Sequence, residues 1–385
     1  MHCLQVAGPV ASAPNQAMDI KHATANYEAW LRSELPVVIE ADLEFKHQQM
    51  ATAAFPFLRA TFYRWAERWA DLCPHLASAP VVLGVADLHV ENYGTWRDAE
   101  GRLVWGINDF DEATNLPYPA DLVRLATSAA LATGEHTLSL RLKEAAGAIE
   151  AGYREGLARQ GEPFVLAERH NRLRRLATTE LRDPVRFWTK MQSLPEAPLA
   201  RYPTDAVELV MGALPSETGS ETESDTGTSV RTRRAGLGSL GRPRLVALTQ
   251  WRGGLVAREV RAVVPSAWDW AHGTPAATIH YAEVVSGAVR GADPYTGVRD
   301  RWLVRRLAPD CVRIELADLP AQRDETDLLH SMGYELANIH LGTAGAGPAI
   351  LSDLDDRAGR HPEWLESAAE RMAADTEADW SAWRS

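Results

Sequence analysis

Cysteine is nearly absent from this chain: three in 385 residues, at Cys3, Cys73 and Cys311, with no CxxC pair. So few and so scattered, they exclude a disulfide framework and a cysteine-held zinc site, and they fit a reducing cytoplasm. Long apolar runs are missing too. No charge-free stretch reaches the roughly 20 residues of a membrane span, and the opening MHCLQVAGPVASAPNQAMD lacks the basic and apolar regions of a secretory leader. Positive charge is not in excess: 40 Lys and Arg stand against 52 Asp and Glu, a net charge of −12. That argues against a nucleic-acid partner bound through a broad basic face. No internal repeat of fixed period is visible. The expectation is a cytoplasmic protein that uses neither nucleic acid nor membrane as a partner.

What is present is globular. Apolar residues make up 45% of the chain, enough for a large core or two lobes. Residues 1–26 read as a flexible N-terminus. Residues 27–214 read as a helical lobe; in FPFLRATFYRWAERWADLC, the residues Phe57, Leu58, Phe62, Trp65 and Trp69 share one helical face. Within it, APVVLGVAD reads as a buried strand, and NYGTWRDAEGRLVWGIND as two strands joined by the turn Asp98-Ala99-Glu100-Gly101. Residues 215–232 are rich in Ser, Thr, Gly and Glu and read as a flexible linker. Residues 233–320 read as a small β-rich lobe with a Gly253-Gly254 hairpin turn, and residues 321–385 as further helices.

The chemistry concentrates in residues 84–113. The spacing D-x-H-x-x-N supplies the Asp87 carboxylate and the Asn92 amide oxygen from one tight loop, and the hairpin that follows returns Asp109 and Asp111 to the same end. Phosphoryl transfer asks for a carboxylate facing the acceptor hydroxyl and for hard oxygen ligands to magnesium. Asp87 fits the first role, Asn92 and Asp109 the second. His89 reads as a residue that shapes the loop.

ADLHVENYG…INDFDEA…PADLVRL resembles the catalytic and metal loops of the protein-kinase-like superfamily, in the version of the aminoglycoside and choline kinases (G-D-x-H-x-x-N…I-D-F-x-x-A…D-L). The resemblance implies a catalytic Asp87, magnesium ligands at Asn92 and Asp109 with Asp111 as an acidic neighbour, and a structural Asp121. Ala86 departs from it where Gly is usual, and Asn108 where Ile or Val is usual. A second motif, G-x-G-x-x-G at Gly236, Gly238 and Gly241 with Ser239 inside it, precedes strand–turn–strand and not strand–helix. That is the context of a kinase glycine loop rather than of a dinucleotide fold.

Such a loop is followed by a phosphate-binding cation. By position this is Arg258, with Arg where Lys is usual, and Glu283 is the candidate partner; Arg305 and Arg306 are alternatives. The glycine loop follows the catalytic loop instead of preceding it, and YELANIHLGTAG near the end resembles the helix that ordinarily leads into the catalytic lobe. The order implies an α+β, two-lobed, circularly permuted kinase-like fold, in which Gly238 should face Asp109 across a cleft. The same order from about Lys46 to Thr343 resembles a bacterial family known as domain of unknown function 2252.

The resulting expectation is an ATP- and magnesium-dependent phosphotransferase acting on a small-molecule or peptide acceptor. Arg59 and Tyr63 are candidates for acceptor recognition, and the acidic balance hints at a cationic acceptor. Two alternatives stand beside it: a nucleotide-binding pseudokinase or AMP-transferase, to which Arg258 points, and a metal-dependent phosphoesterase using Asp87, His89 and Asp109.

Overall fold

In the computed structural model, residues 19–134, 138–179, 183–215, 227–275, 277–311 and 325–385 are described. The chain is mixed α+β. Among the described residues no helix is long and apolar enough to cross a membrane. Most of the linker read at 215–232, and the end of the β-rich region, fall outside the described residues.

Four helices come first: α1 (Ile20–Glu34), α2 (Glu40–Met50), α3 (Ala54–Ala60) and α4 (Phe62–Leu72). The Asp19 carboxylate starts α1 by accepting from the His22 N–H at 2.8 Å, a side-chain N-cap. The first helix therefore begins inside the stretch read as flexible. Four short strands follow: β1 (Val81–Gly84), β2 (Tyr93–Arg97), β3 (Leu103–Ile107) and β4 (Thr114–Pro117). β2 and β3 form the expected hairpin, and the Asp98 carboxylate closes its turn by accepting from the N–H groups of Glu100 (3.0 Å) and Arg102 (2.9 Å). β1 pairs only with β4 in a two-stranded ribbon, and Val81 is exposed, so it is not the fully buried strand the apolar run suggested.

Next come α5 (Pro119–Gly134), α6 (Leu142–Ala158), β5 (Phe164–Val165), α7 (Asn171–Thr179), α8 (Pro184–Gln192) and α9 (Thr204–Gly212). The chain then forms β6 (Ser229–Thr232), β7 (Arg244–Trp251), β8 (Gly254–Ala262), α10 (Ala267–Ala271), α11 (Tyr281–Gly287), β9 (Gly297–Arg299) and β10 (Trp302–Leu307). It ends with α12 (Glu325–His340), α13 (Ala346–Arg360) and α14 (Trp364–Arg384). The five later strands make one antiparallel sheet in the order β6-β7-β8-β10-β9. The β7–β8 turn falls on Arg252 and Gly253, both at positive φ (46° and 85°). That is one residue earlier than the Gly-Gly pair suggested, and its geometry suits a right-twisted hairpin.

Side chains alternate across this sheet. One face carries Leu245, Ala247, Val260, Ala262 and Val304, packed with Leu31 and Leu35 of α1, Leu43 of α2, and Ala206 and Val210 of α9. The other carries Val246, Leu248, Ala257 and Leu307 under Phe187 and Met191 of α8. Helices α8 and α9, assigned from sequence to the helical lobe, thus cover the sheet from both sides. Their apolar residues find partners only through the fold, which moves the working boundary of the β-rich unit.

The helical body is knit by α6 and α12. A Cβ at Gly152 would stand 1.8 Å from the His330 carbonyl oxygen, and one at Gly333 2.0 Å from that of Ile149. Each glycine lets the other helix's backbone into contact. α12 then reaches the hairpin and the β1 loop: the Tyr93 hydroxyl donates to Met332 O (3.0 Å), the Ile107 N–H to Glu335 (3.3 Å), and just beyond the helix Thr343 Oγ1 accepts from the Leu83 N–H (2.9 Å).

Candidate active site

The Asp87 loop is held from below. Asp121, in the first turn of α5, accepts from the N–H groups of Val85 (2.8 Å) and Ala86 (2.7 Å). His340 Nε2 lies 2.9 Å from the same carboxylate, and the Tyr153 hydroxyl 2.7 Å from His340 Nδ1. Ala86 has φ 69°. Only glycine adopts that region without steric cost, which accounts for glycine in the kinase pattern. A Cβ at Gly84 would stand 2.4 Å from Asp121 Oδ2, so the carboxylate needs that space. Asp121 is structural here, and the sequence reading gave it that role.

Asp87 emerges from this turn with its side chain 17% exposed, and its Oδ1 accepts from Arg124 Nη2 at 2.6 Å. Arg124 is fully buried, donates also to Leu58 O, and lies over the rings of Phe62 and Trp65. Burial pushes the Asp87 carboxyl up to about 7, against the pull of Arg124. A carboxylate near neutrality is suited to exchange a proton with a bound hydroxyl.

His89 is buried in a T-shaped contact with Phe55, and its Nδ1 accepts from the Glu91 N–H, so it shapes the loop. Asn92 Oδ1 accepts from the His89 N–H at 2.9 Å, and Asn92 O accepts from the Asn108 N–H at 2.9 Å. The two loops are thereby locked side by side. The Asp109 side chain is 34% exposed, with Oδ1 3.5 Å from Arg261 Nη2. Asp111 is differently placed: Oδ1 is 2.5 Å from Arg261 Nη2 and Oδ2 3.5 Å from Arg242 Nη1. Burial raises its carboxyl, with Arg261 opposing.

As a donor set, Asp109 and Asn92 suit a hard cation that brings its remaining ligands on phosphate and water, since an amide oxygen keeps a second lone pair. Asp111 braces arginines and does not fit as a ligand. Among the described residues no three His, Cys, Asp or Glu side chains are gathered as a metal cluster.

The glycine loop lies beside Asp87. A Cβ at Gly238 would stand 3.2 Å from Arg59 O and 3.4 Å from Asp87 Oδ2. Gly238 and Asp109 line one cavity of about 460 Å³, although Gly238 lies next to Asp87. Gly241, at φ 93°, is needed for contact of another kind: a Cβ there would stand 2.5 Å from Leu43 of α2. Ser239 ties the loop to the sheet, its hydroxyl accepting from Arg244 Nη2 (2.9 Å) and Arg261 Nη1 (3.0 Å).

Residues 38–187 match the model of a family described as an uncharacterized protein conserved in bacteria, domain of unknown function 2252. No curated protein and no solved structure matches the chain. The segment matched by domain 2252 carries Asp87, Asn92, Asp109 and Asp121 and stops before the glycine loop and the five-stranded sheet.

On that sheet the structure corrects the cation. Arg258 lies on the face opposite Arg244, Arg261 and Arg305, with its guanidinium 4.7 Å from the Tyr295 ring centroid; its cross-strand partner Arg306 reaches the cavity wall, and Arg258 does not. Glu283 is exposed and pairs with His280. Strand parity is the reason: Glu259 and Arg261 point one way, Arg258 the other. Across β7 and β10, the cavity face brings Arg244 (2.8 Å) and Arg305 (2.8 Å) onto Glu259, joined by Arg233 (2.7 Å). Although burial alone would raise it, these guanidiniums hold Glu259 well below the usual carboxylate range. Three cations on one buried anion leave net positive charge facing the cavity.

Arg306, Arg59 and Tyr63 line the cavity as well. Sequence reasoning missed Arg244, Glu259 and Arg261, whose alternation in RPRLV and REVRA was the available signal. It also missed Arg124, one helical turn after Asp121, and Lys46.

Proposed function

We propose that the chain is an ATP- and magnesium-dependent phosphotransferase acting on a hydroxyl acceptor, with a two-lobed kinase-like architecture in permuted order. The observation that carries this reading is the approach of Gly238 to Asp87, where a Cβ would stand 3.4 Å from Oδ2, so that two motifs far apart in sequence meet in one cavity. The cavity's charge agrees. Eleven Lys and Arg line it against six Asp and Glu, in a chain whose net charge is −12. Such local inversion favours an anionic ligand, and nucleotide phosphates are the anions a glycine loop accommodates. It speaks less for the cationic acceptor that the overall charge hinted at.

In this reading Arg244, Arg261 and Arg305 meet the phosphates, and Asp109 and Asn92 hold the magnesium that accompanies them. The ion would offset the charge that builds on the phosphoryl oxygens during transfer. Asp87 takes the proton of the acceptor hydroxyl, and Arg124 fixes the rotamer of its carboxylate. The sheet's position after the catalytic hairpin, with α12 returning to the Asp87 loop through His340, supports the permuted order. An AMP-transferring enzyme would use the same nucleotide site and would differ in the group it transfers. The phosphoesterase alternative has less support, for want of a gathered metal cluster among the described residues.

The test is stabilisation by ATP with magnesium, followed by mass analysis of product from a metabolite and peptide pool. A phosphate adduct supports phosphoryl transfer, and an AMP adduct supports the alternative. Phosphatase activity without nucleotide stabilisation refutes both.

A further inference from the structure

Lys46 lies on α2 with 2% of its surface exposed, and it lines the cavity. Its Nζ is 5.7 Å from the centroid of Tyr27 and 5.6 Å from that of Tyr63. Those rings stack on each other at 4.2 Å, and Tyr63 is pinned by its hydroxyl to Thr24, so they form a fixed floor. Among the described residues no hydrogen bond or ion pair engages the ammonium. The nearby carboxylates have other partners: Glu28 is on His47, Glu112 on Arg242 and the Ala267 N–H, and Asp87 on Arg124.

A buried ammonium without an anion is costly, and two aromatic faces recover only part of that cost. Leu43, one turn earlier on the same face of α2, touches Gly241. Lys46 therefore sits beneath the glycine loop, on the Asp87 side of the cavity.

We propose that Lys46 is an anion-binding residue that holds a phosphoryl oxyanion beside Asp87. This rests on the phosphotransferase reading for its chemistry and extends it. It supplies from the helical side the cation that the sequence placed at Arg258. The oxyanion arrives either as the terminal phosphate of the nucleotide or on the acceptor itself. Both sources present the same group to Nζ, and they separate experimentally.

The experiment compares the full-length wild-type chain with Lys46→Met and Lys46→Gln by calorimetric titration with inorganic phosphate, ADP and ATP in the presence of magnesium. Thermal melts confirm that both variants are folded. A charge-assisted contact of this kind is expected to cost roughly tenfold or more in affinity. If the group is the nucleotide's, both variants lose that factor for ATP and keep ADP affinity. If it is the acceptor's, they keep ATP affinity and lose inorganic phosphate, with ADP bound or absent. Either result supports the site. Binding of phosphate and ATP as in wild type overturns it, as does failure of the wild type to bind either. If the wild type binds phosphate through Lys46 but binds no nucleotide, the phosphotransferase reading fails and the anion site stands.

Discussion

Replacing Lys46 by methionine should make the ligand-free protein more stable. Burial lowers the Lys46 ammonium from its ordinary 10.5 to about 8, against the pull of Glu28. The sign follows from the direction. A base whose folded pKa is depressed destabilises the fold fully below the folded value, and that cost fades as pH rises toward the unfolded value. At pH 8 the penalty is about 3 kcal/mol, and at pH 9.5 about 1.4 kcal/mol, at ~1.36 kcal/mol per unit.

The tyrosine rings give back about 1 kcal/mol, so Lys46→Met should gain about 2 kcal/mol at pH 8. Methionine fills the same unbranched volume. For a chain of this size that is about 2.5 °C in melting temperature. Tyr27 and Tyr63 are pushed up by burial and stay neutral across this range, and Asp87, near 7, is mostly ionised throughout. The assay is paired thermal melts at pH 8 and 9.5. A variant that melts below wild type at pH 8, or an equal difference at both pH values, refutes the argument that the ammonium is buried without an anion.

Three further outcomes are expected. Arg261→Met should lower turnover about a hundredfold or more, as for other donors to a transferring group, whereas Arg258→Met should stay within about twofold; equal effects in steady-state assays would sink the parity argument. The rate should rise with pH through about 7 as Asp87 loses its proton, and Asp87→Asn should abolish that limb and cost roughly 10²–10⁴ in rate with nucleotide affinity kept; full turnover in that variant removes Asp87 as the base. Ala86→Gly should stabilise by roughly 0.5–1 kcal/mol by relieving a left-handed backbone, read by denaturant unfolding, and a loss of stability there contradicts the strain.

The parts legible in the sequence were those with local rules. The hairpin after Asn92 announced itself by alternation and an Asp-Ala-Glu-Gly turn, and Asp87, Asn92 and Asp109 by their spacing within it. The site's cation needed more. Arg258 and Arg261 are both arginines on β8, and only strand register decides which faces the cavity. Lys46 carried no signal, because α2 has charged residues all round and a lone lysine there reads as solvated surface. The docking of α8 and α9 on the sheet depends on apolar partners far away in sequence, which no local pattern encodes.

The contacts made by α12 bear on how the protein comes into being. Tyr93, Ile107 and, through His340, Asp121 all lean on a helix that leaves the ribosome after every other part of the site. A nascent chain would therefore hold Asp87 in an unlocked loop until α12 arrives. The same dependence applies to fragments: residues 38–187, expressed alone as the unit that domain 2252 delimits, would lack α12 and both glycine contacts that seat it. That segment bounds a shared pattern of sequence, whereas the contacts that brace the Asp87 loop and β1 come from residues as far along as Thr343.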